Sequence, residues 1–390
     1  MGMNERQILP AVVVALLALL ALVTGLWVTG VAQDKTGANT GNAADAAQYR
    51  WKMVTTFPKN FPGLGTAPEE FARRVRAMSN GRIDITVYGA GEIVQAFEVF
   101  DAVSQGVAEL GYGAAYYWKG KIPASVYFTA IPFGMTTQEM NAWLHYGGGL
   151  ELWRELYAPF NLVPFAAGST GVQMAGWFNK ALNSVDDVEG LMMRIPGMAG
   201  EVFSGIGGSS VRIAGGEIYT SMQTGVIDAV EWVGPFNDRT MGLQDVAEYY
   251  YYPGWHEPGT ILEITINGDV YAGLPDDLRA IIEGAARAVN QDTLDFYTAR
   301  NNEALQSLIA DGTKLRELPP SVVEALYAEA LNARLRMAKT SPLANRIEAS
   351  YREFEQQVTA YHDISERAYL NLRAEVSGST SPGAGQANRD

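Results

Sequence analysis

The chain has no cysteine and only three histidines, His145, His256 and His362. Without a thiol there is no disulfide framework, no thiolate nucleophile and no Cys-ligated zinc site. No H-E-x-x-H pair exists, and no two histidines are close enough in sequence to share a metal-binding face. Positive charge is also scarce. The 29 Lys and Arg stand against 43 Asp and Glu, a net charge of −14 over 390 residues. That balance argues against a nucleic-acid partner, whose phosphates need a basic face. It permits a small anionic ligand, for which local positive charge suffices. Several glycine motifs fall short. Gly89-x-Gly91 has Val94 in place of its third glycine, Gly147-Gly148-Gly149 is not followed by a phosphate-loop lysine, and Gly168-Ser169-Thr170-Gly171 is not a nucleophile elbow. Each reads as a turn. His256 beside Glu257 offers an acid/base pair, but adjacent residues on an extended segment point opposite ways.

What the chain does have is apolar bulk: 47% hydrophobic against 18% charged residues, a globular composition. Its length exceeds what one hydrophobic core usually holds, so two domains are expected. Residues Ile8 to Val31 are almost wholly apolar, with Arg6 before them and Asp34 after. The run fits either a cleaved secretory signal, with Gly30-Val31-Ala32 as its small-residue cleavage site, or an uncleaved membrane anchor. In both cases the folded part lies outside the cytoplasm. Gln33 to Gln48 is a polar linker, and Ser377 to Asp390 a Gly/Ser/Pro-rich tail expected to be disordered.

Between them the pattern is α/β. Strands are expected at Trp51–Val54, Ile83–Val87 and Leu110–Ala114, alternating with helices that begin near Pro68 and Val94. This βαβαβ rhythm predicts a parallel sheet covered on both faces. A long helix is expected around Glu139–Tyr157. A second α/β unit follows over roughly Met174–Pro258, and Thr260–Ile266 is expected to return the chain to the first sheet. From Pro275 onward the pattern is helical, with no strand. Leu343, Ile347, Tyr351, Phe354, Val358, Tyr361, Ile364, Ala368 and Leu372 form a narrow seam near a 3.5-residue period, fit either for the chain's own surface or for a second helix in a dimer.

The candidate site comes from strand ends, where open α/β sheets bind ligands. Arg194 ends the strand Leu191–Ile195, and its two-donor fork suits a carboxylate. Glu231 and Trp232 end the strand Ile227–Trp232, with Pro235, Phe236 and Asn237 in the loop beyond, so Glu231 opens into the same crevice. A ligand carboxylate and Glu231 would repel in a dry cleft. A hard cation between them, held by Glu231, a main-chain carbonyl and the amide oxygen of Gln173, removes that conflict. Tyr116-Tyr117-Trp118 and Trp255-His256-Glu257 are candidate walls.

Three stretches carry a family resemblance: Ser79-Asn80-Gly81-Arg82-Ile83, Asp186 through Pro196, and Glu217 through Asp228. With them the chain resembles the solute-binding proteins of TRAP transporters over most of Arg50–Arg373. Val230-Glu231-Trp232-Val233-Gly234-Pro235 and Tyr252 through Gly259 look like the branch that binds 2-oxo acids such as pyruvate. The resemblance implies a two-domain, type II-like periplasmic-binding-protein cleft with a long C-terminal helix. Its expected divisions are 1–32 signal or anchor, 33–48 linker, 49–173 with 259–300 as domain I, 174–258 as domain II, 301–376 a helical dimerisation region and 377–390 tail. It further implies that Arg194 clamps the substrate carboxylate. Gln173, Glu231 and the main chain of Trp232 hold a sodium ion, with calcium as the alternative, and Glu257 and Tyr117 line the pocket. Asn237 is grouped with the substrate contacts and Glu257 with the metal contacts. The implied function is delivery of a small monocarboxylate to a membrane permease by a periplasmic, non-enzymatic homodimer. The rivals are a binding protein for lactate, a sugar acid or another organic acid, and an enzyme using His256 and Glu257.

Overall fold

The computed structural model describes residues 48–377. The apolar run, most of the linker and all of the tail but Ser377 lie outside the described residues. Eleven strands appear among the described residues: β1 (Tyr49–Thr55), β2 (Ile83–Tyr88), β3 (Leu110–Gly113), β4 (Leu162–Gly171), β5 (Gly176–Phe178), β6 (Met192–Arg194), β7 (Ser209–Val211), β8 (Ala229–Val230), β9 (Tyr249–Tyr252), β10 (Thr260–Asn267) and β11 (Lys314–Glu317). They form two sheets. The first has the order β2-β1-β3-β10-β4 and the second β11-β9-β5-β8-β6-β7.

The expected βαβαβ rhythm holds over β1, β2 and β3, which pair in parallel. In β2 the buried positions alternate as Ile83, Ile85 and Val87, the period of a strand with one face inward. The sheets as wholes are mixed, however. β10 does return to the first sheet, but antiparallel to both β3 and β4. In the second sheet β5 is antiparallel to β8 and β9. β10 is buried along its whole length, so its apolar run cannot reveal its direction.

Two other expectations change. The helix around Glu139–Tyr157 is two helices, Thr137–Tyr146 and Gly149–Tyr157, broken where Gly148 takes a φ of +82° that suits glycine. The region after Pro275 is not wholly helical. Lys314–Glu317 pairs in parallel with Tyr249–Tyr252 at the edge of the second sheet. Its charged Lys-Leu-Arg-Glu sequence carries no strand pattern, and the pairing comes from its neighbour rather than from propensity. The helix Asp276–Ala310 also runs unbroken across the expected division at 300/301. It packs on β4, meeting it at Asn290 and Thr293, and then delivers the chain to β11.

The C-terminal helix spans Pro342–Ser377 with an interruption at Ser365 (φ −115°, ψ −96°). Its seam divides ahead of that point, between Tyr351 and Tyr361. Ile347 and Tyr351 are buried against the chain, the Tyr351 hydroxyl accepting from the Met135 amide at 2.9 Å. Tyr361, Ile364, Tyr369 and Leu372 are 54–79% exposed. Among the described residues no helix is long and apolar enough to cross a membrane.

Candidate functional site

Two chain crossings between the sheets bring the site together. Residues 172–175 join β4 to β5, and residues 253–259 join β9 to β10. They run side by side, with the Gln173 amide donating to the Glu257 carbonyl at 3.2 Å. The approach is so close that a Cβ on Gly254 would stand 2.1 Å from the Gln173 carbonyl oxygen, which only glycine avoids. One crossing therefore carries Gln173 and the other carries His256 and Glu257. β6 and β8 pair in parallel, Arg194 opposite Val230, so their ends place Arg194, Glu231 and Trp232 together.

The cluster is dry. Arg194, Glu231, His256 and Glu257 are each 0–2% exposed, and Gln173, Tyr117 and Trp232 are buried. Arg194 donates Nη1 to both the main-chain carbonyl (2.9 Å) and the carboxylate Oε1 of Glu231. Its Nε donates to the Ile213 carbonyl at 3.3 Å. Nη2 has no hydrogen bond to the protein, so two N–H groups remain for a ligand. The guanidinium carbon lies 5.1 Å from the Trp232 ring centre, whose other neighbours are the edges of Phe57 and Phe61. Burial is the largest influence and works against the Arg194 charge, but Glu231, Tyr117, Tyr116 and Glu257 together outweigh it and hold the pKa above its ordinary value.

Across from this pair, Gln173 Nε2 donates to Glu257 Oε2 at 2.8 Å, and Thr260 Oγ1 donates to the same oxygen at 2.6 Å. Burial, reinforced by the Glu231 charge, pushes the Glu257 carboxyl up to about 7. Tyr117 is also raised by burial, with Arg194 pulling the other way and Glu231 and Glu257 adding to the rise. The tyrosine thus shares the field of the cluster. An open cavity of about 510 Å³ reaches Tyr117 from outside, past Phe97 and Arg212. A wider surface cavity of about 710 Å³, lined by Arg239, Asp311 and Lys314 among others, includes none of the cluster residues.

The donor set fits a small cation. Gln173 Oε1 and Glu231 Oε2 are buried with no hydrogen-bond partner, and buried acceptors left this way are costly. Glu231, His256 and Glu257 each offer one atom, all within 4.8 Å of one another. An ion among these atoms would satisfy the orphaned oxygens and separate the two carboxylates.

Sequence reasoning set His256 aside on the premise of an extended segment. The segment 253–259 is bent instead, and both His256 and Glu257 reach the cluster. Thr170 and Thr260, within 3.0 Å and 3.2 Å of Gln173 Nε2, were not singled out. Their only signal is position, Thr170 just before the first crossing and Thr260 just after the second. Asn237 is fully buried, but both its polar atoms are engaged: Nδ2 donates to the Pro62 carbonyl at 2.9 Å, and Oδ1 accepts from the Tyr297 hydroxyl at 2.8 Å. It ties the segment after β1 to the helices Pro235–Thr240 and Asp276–Ala310.

Residues 53–340 match the family model for bacterial extracellular solute-binding proteins, family 7, the DctP family. The chain belongs to that family. As a DctP-family member it is an extracellular solute-binding protein. It is 40% identical to the monocarboxylate 2-oxoacid-binding periplasmic protein of Nostoc sp. over 338 residues, 86% of this chain and 93% of that one. Two crystal structures share its fold at a TM-score of 0.81. One is a TRAP periplasmic solute-binding protein from Colwellia psychrerythraea with bound calcium and pyruvate, 40% identical over 83% of this chain and 99% of that one. The other is from Pseudoalteromonas atlantica with bound sodium and pyruvate, 39% identical over 83% and 98%.

Proposed function

We propose that this chain is the periplasmic binding subunit of a TRAP transporter and that it carries a 2-oxo acid such as pyruvate, together with a cation, to a membrane permease. The observation that carries this is the free Nη2 of a buried Arg194 beside the orphaned oxygens of Glu231 and Gln173. A carboxylate accepts from that guanidinium, and the cation joins the ligand to Glu231 and Gln173. The relatives from Colwellia and Pseudoalteromonas support the pairing of pyruvate with an ion, calcium in one and sodium in the other. Trp232 and Tyr117 wall the ligand, Glu257 faces the ion, and Asn237 acts as a latch between segments rather than as a ligand contact. Gln173, Glu231, Glu257 and the main chain of Trp232 make up the ion's shell. The role is binding without turnover.

In this reading residues 49–173 with 259–300 form one lobe and 174–258 the other, hinged at the two crossings. The ligand sits between the lobes, and their aromatics exclude water once the cleft closes. The half-exposed stripe from Tyr361 to Leu372 is the contact of a homodimer. The N-terminal run directs export, and its cleavage or retention decides whether the protein is free or tethered.

The test is isothermal titration of the purified protein with pyruvate, with and without sodium or calcium, followed also by tryptophan fluorescence. Saturable binding that weakens when the ion is withdrawn is expected, with pyruvate recovered intact. A protein that binds no small carboxylate under any of these conditions would sink the proposal. Tighter binding of lactate or a sugar acid in the same panel would reassign the ligand and keep the site.

A further inference from the structure

Arg212 follows β7, the edge of the second sheet farthest from the two crossings. The crossings join that sheet at β5 and β9, and the strand order places β7 three strands beyond β5, about 14 Å away. From this edge Arg212 reaches segments that belong with the first sheet. Its Nη1 donates to the main-chain carbonyl of Tyr117, in the turn after β3, and its guanidinium lies 4.0 Å from the centre of the Phe97 ring. Lys119 reaches the other way. Its Nζ donates to the Gly197 carbonyl at 2.9 Å and to Glu201 Oε1 at 2.7 Å, both on the helix Gly197–Gly205 that follows β6. The Tyr116 ring packs on the same Gly197, where a Cβ would stand 3.2 Å from the ring. The Arg212 segment is also tied to the ligand clamp, because the carbonyl of Ile213, the next residue, accepts from Arg194 Nε at 3.3 Å.

On the two-lobe binding reading above, on which this inference rests, each of these contacts joins one lobe to the other on the side away from the hinge, and opening at the crossings must break them. We propose that Arg212 is a positioning residue that latches the lobes over the bound acid and sets how fast it leaves, with Lys119 as a weaker second point. Magnitudes rank the two. The Lys119–Glu201 side chains are 28% and 39% exposed, and ion pairs this open to water contribute little. Arg212 combines a charged donor on a carbonyl with a stacked ring, two contacts that break together. Its neighbour ties the latch to occupancy: a carboxylate that fixes Arg194 also steadies Ile213, and with it the backbone that carries Arg212. Arg212 is itself exposed on its outer side, so its replacement leaves neither a buried hole nor a stranded charge.

The test uses full-length protein and stopped-flow tryptophan fluorescence with pyruvate and sodium. Arg212→Gln is expected to release pyruvate about tenfold faster, with association moved by less than about threefold. Arg212→Lys keeps the charge and a donor but not the planar stack, and should fall between. Lys119→Gln should change release by less than about threefold. The chain has no cysteine, so nitroxides on Gln105→Cys/Thr224→Cys, exposed positions one on each lobe, report lobe separation by pulsed electron paramagnetic resonance. Arg212→Gln is expected to lower the share of the short distance. Unchanged release or an unchanged distance distribution overturns the latch, and if Arg212→Gln does not fold, Arg212→Lys decides on the same two readings. Pyruvate bound by every variant and released at the wild-type rate overturns only the latch. If the wild type binds no small carboxylate, the distances in the ligand-free protein decide. The latch joins protein groups, so a short-distance share that Arg212→Gln lowers upholds it and overturns only the ligand reading, whereas a distribution left unmoved overturns both.

Discussion

Replacing Arg194 by methionine keeps the bulk of the side chain and removes its charge and all its donors. Arg194 is 1% exposed and its partner Glu231 is fully buried, so the variant strands a carboxylate in a dry site. Removing one member of a buried ion pair costs about 3–5 kcal/mol. For binding, the loss is the donation of Nη2 to the ligand. A hydrogen bond to a charged group is worth about 1.5–3 kcal/mol, or one to two decades of affinity for each one lost. Arg194→Met should therefore lower thermal stability and weaken pyruvate binding at least about tenfold. The two effects separate in Arg194→Met/Glu231→Gln. The neutral amide removes the stranded charge and should recover most of the stability, while binding stays lost. Thermal unfolding and calorimetric titration of the three proteins read both quantities. A double variant that regains ligand affinity along with stability would show that Arg194 serves the fold and not the ligand, and the clamp would be refuted.

Glu263 sits in the first sheet between Trp118 Nε1 (2.6 Å) and the Tyr157 hydroxyl (3.0 Å), and burial, which these bonds only partly oppose, pushes its carboxyl from 4.5 up to about 7. A raised pKa stabilises the fold below the unfolded value, near 4.5, and that contribution is lost as pH climbs through about 7. Urea unfolding from pH 4.5 to 8 should show a decline of about 3 kcal/mol that is absent in Glu263→Gln; parallel profiles would contradict it. Gly254→Ala places a methyl 2.1 Å from the Gln173 carbonyl and forces the two crossings apart. It should cost up to about 3 kcal/mol of stability and weaken ligand binding with it, and a variant with unaltered melting and affinity would rule out the crossings as the tight point of the site. Ile364→Asp, at a position 79% exposed on the apolar stripe, should leave melting of the monomer unchanged and, under the proposed homodimer, shift the light-scattering mass from dimer to monomer. A dimer that survives this change places its interface elsewhere.

Local pattern was enough to read much of this protein. Alternation marked β2, and the parallel start of the first sheet followed from the helices between its strands. Arg194 and Glu231 could be paired because each ends a short apolar run, and residues at strand ends project into the crevice of an α/β fold; Gln173, after the Thr170-Gly171 turn, was added as an oxygen ligand for the cation between them. The strand direction of β10 was hidden because complete burial gives an apolar run in either orientation. β11 was hidden because its four residues are strand only by virtue of β9 beside them.

His256 shows the division most clearly. An extended segment would have turned it away from Glu257, and the sequence holds no reason to expect otherwise. Residues 253–259 bend where they pass the neighbouring crossing, with Gly254 so close to Gln173 that no Cβ would fit between them. The sequence by itself determined the chemistry available, one guanidinium, two acids and an amide near strand ends. Only the tertiary structure decided which of them share one dry space, because that depends on two segments about 80 residues apart crossing side by side, a contact that no local periodicity encodes.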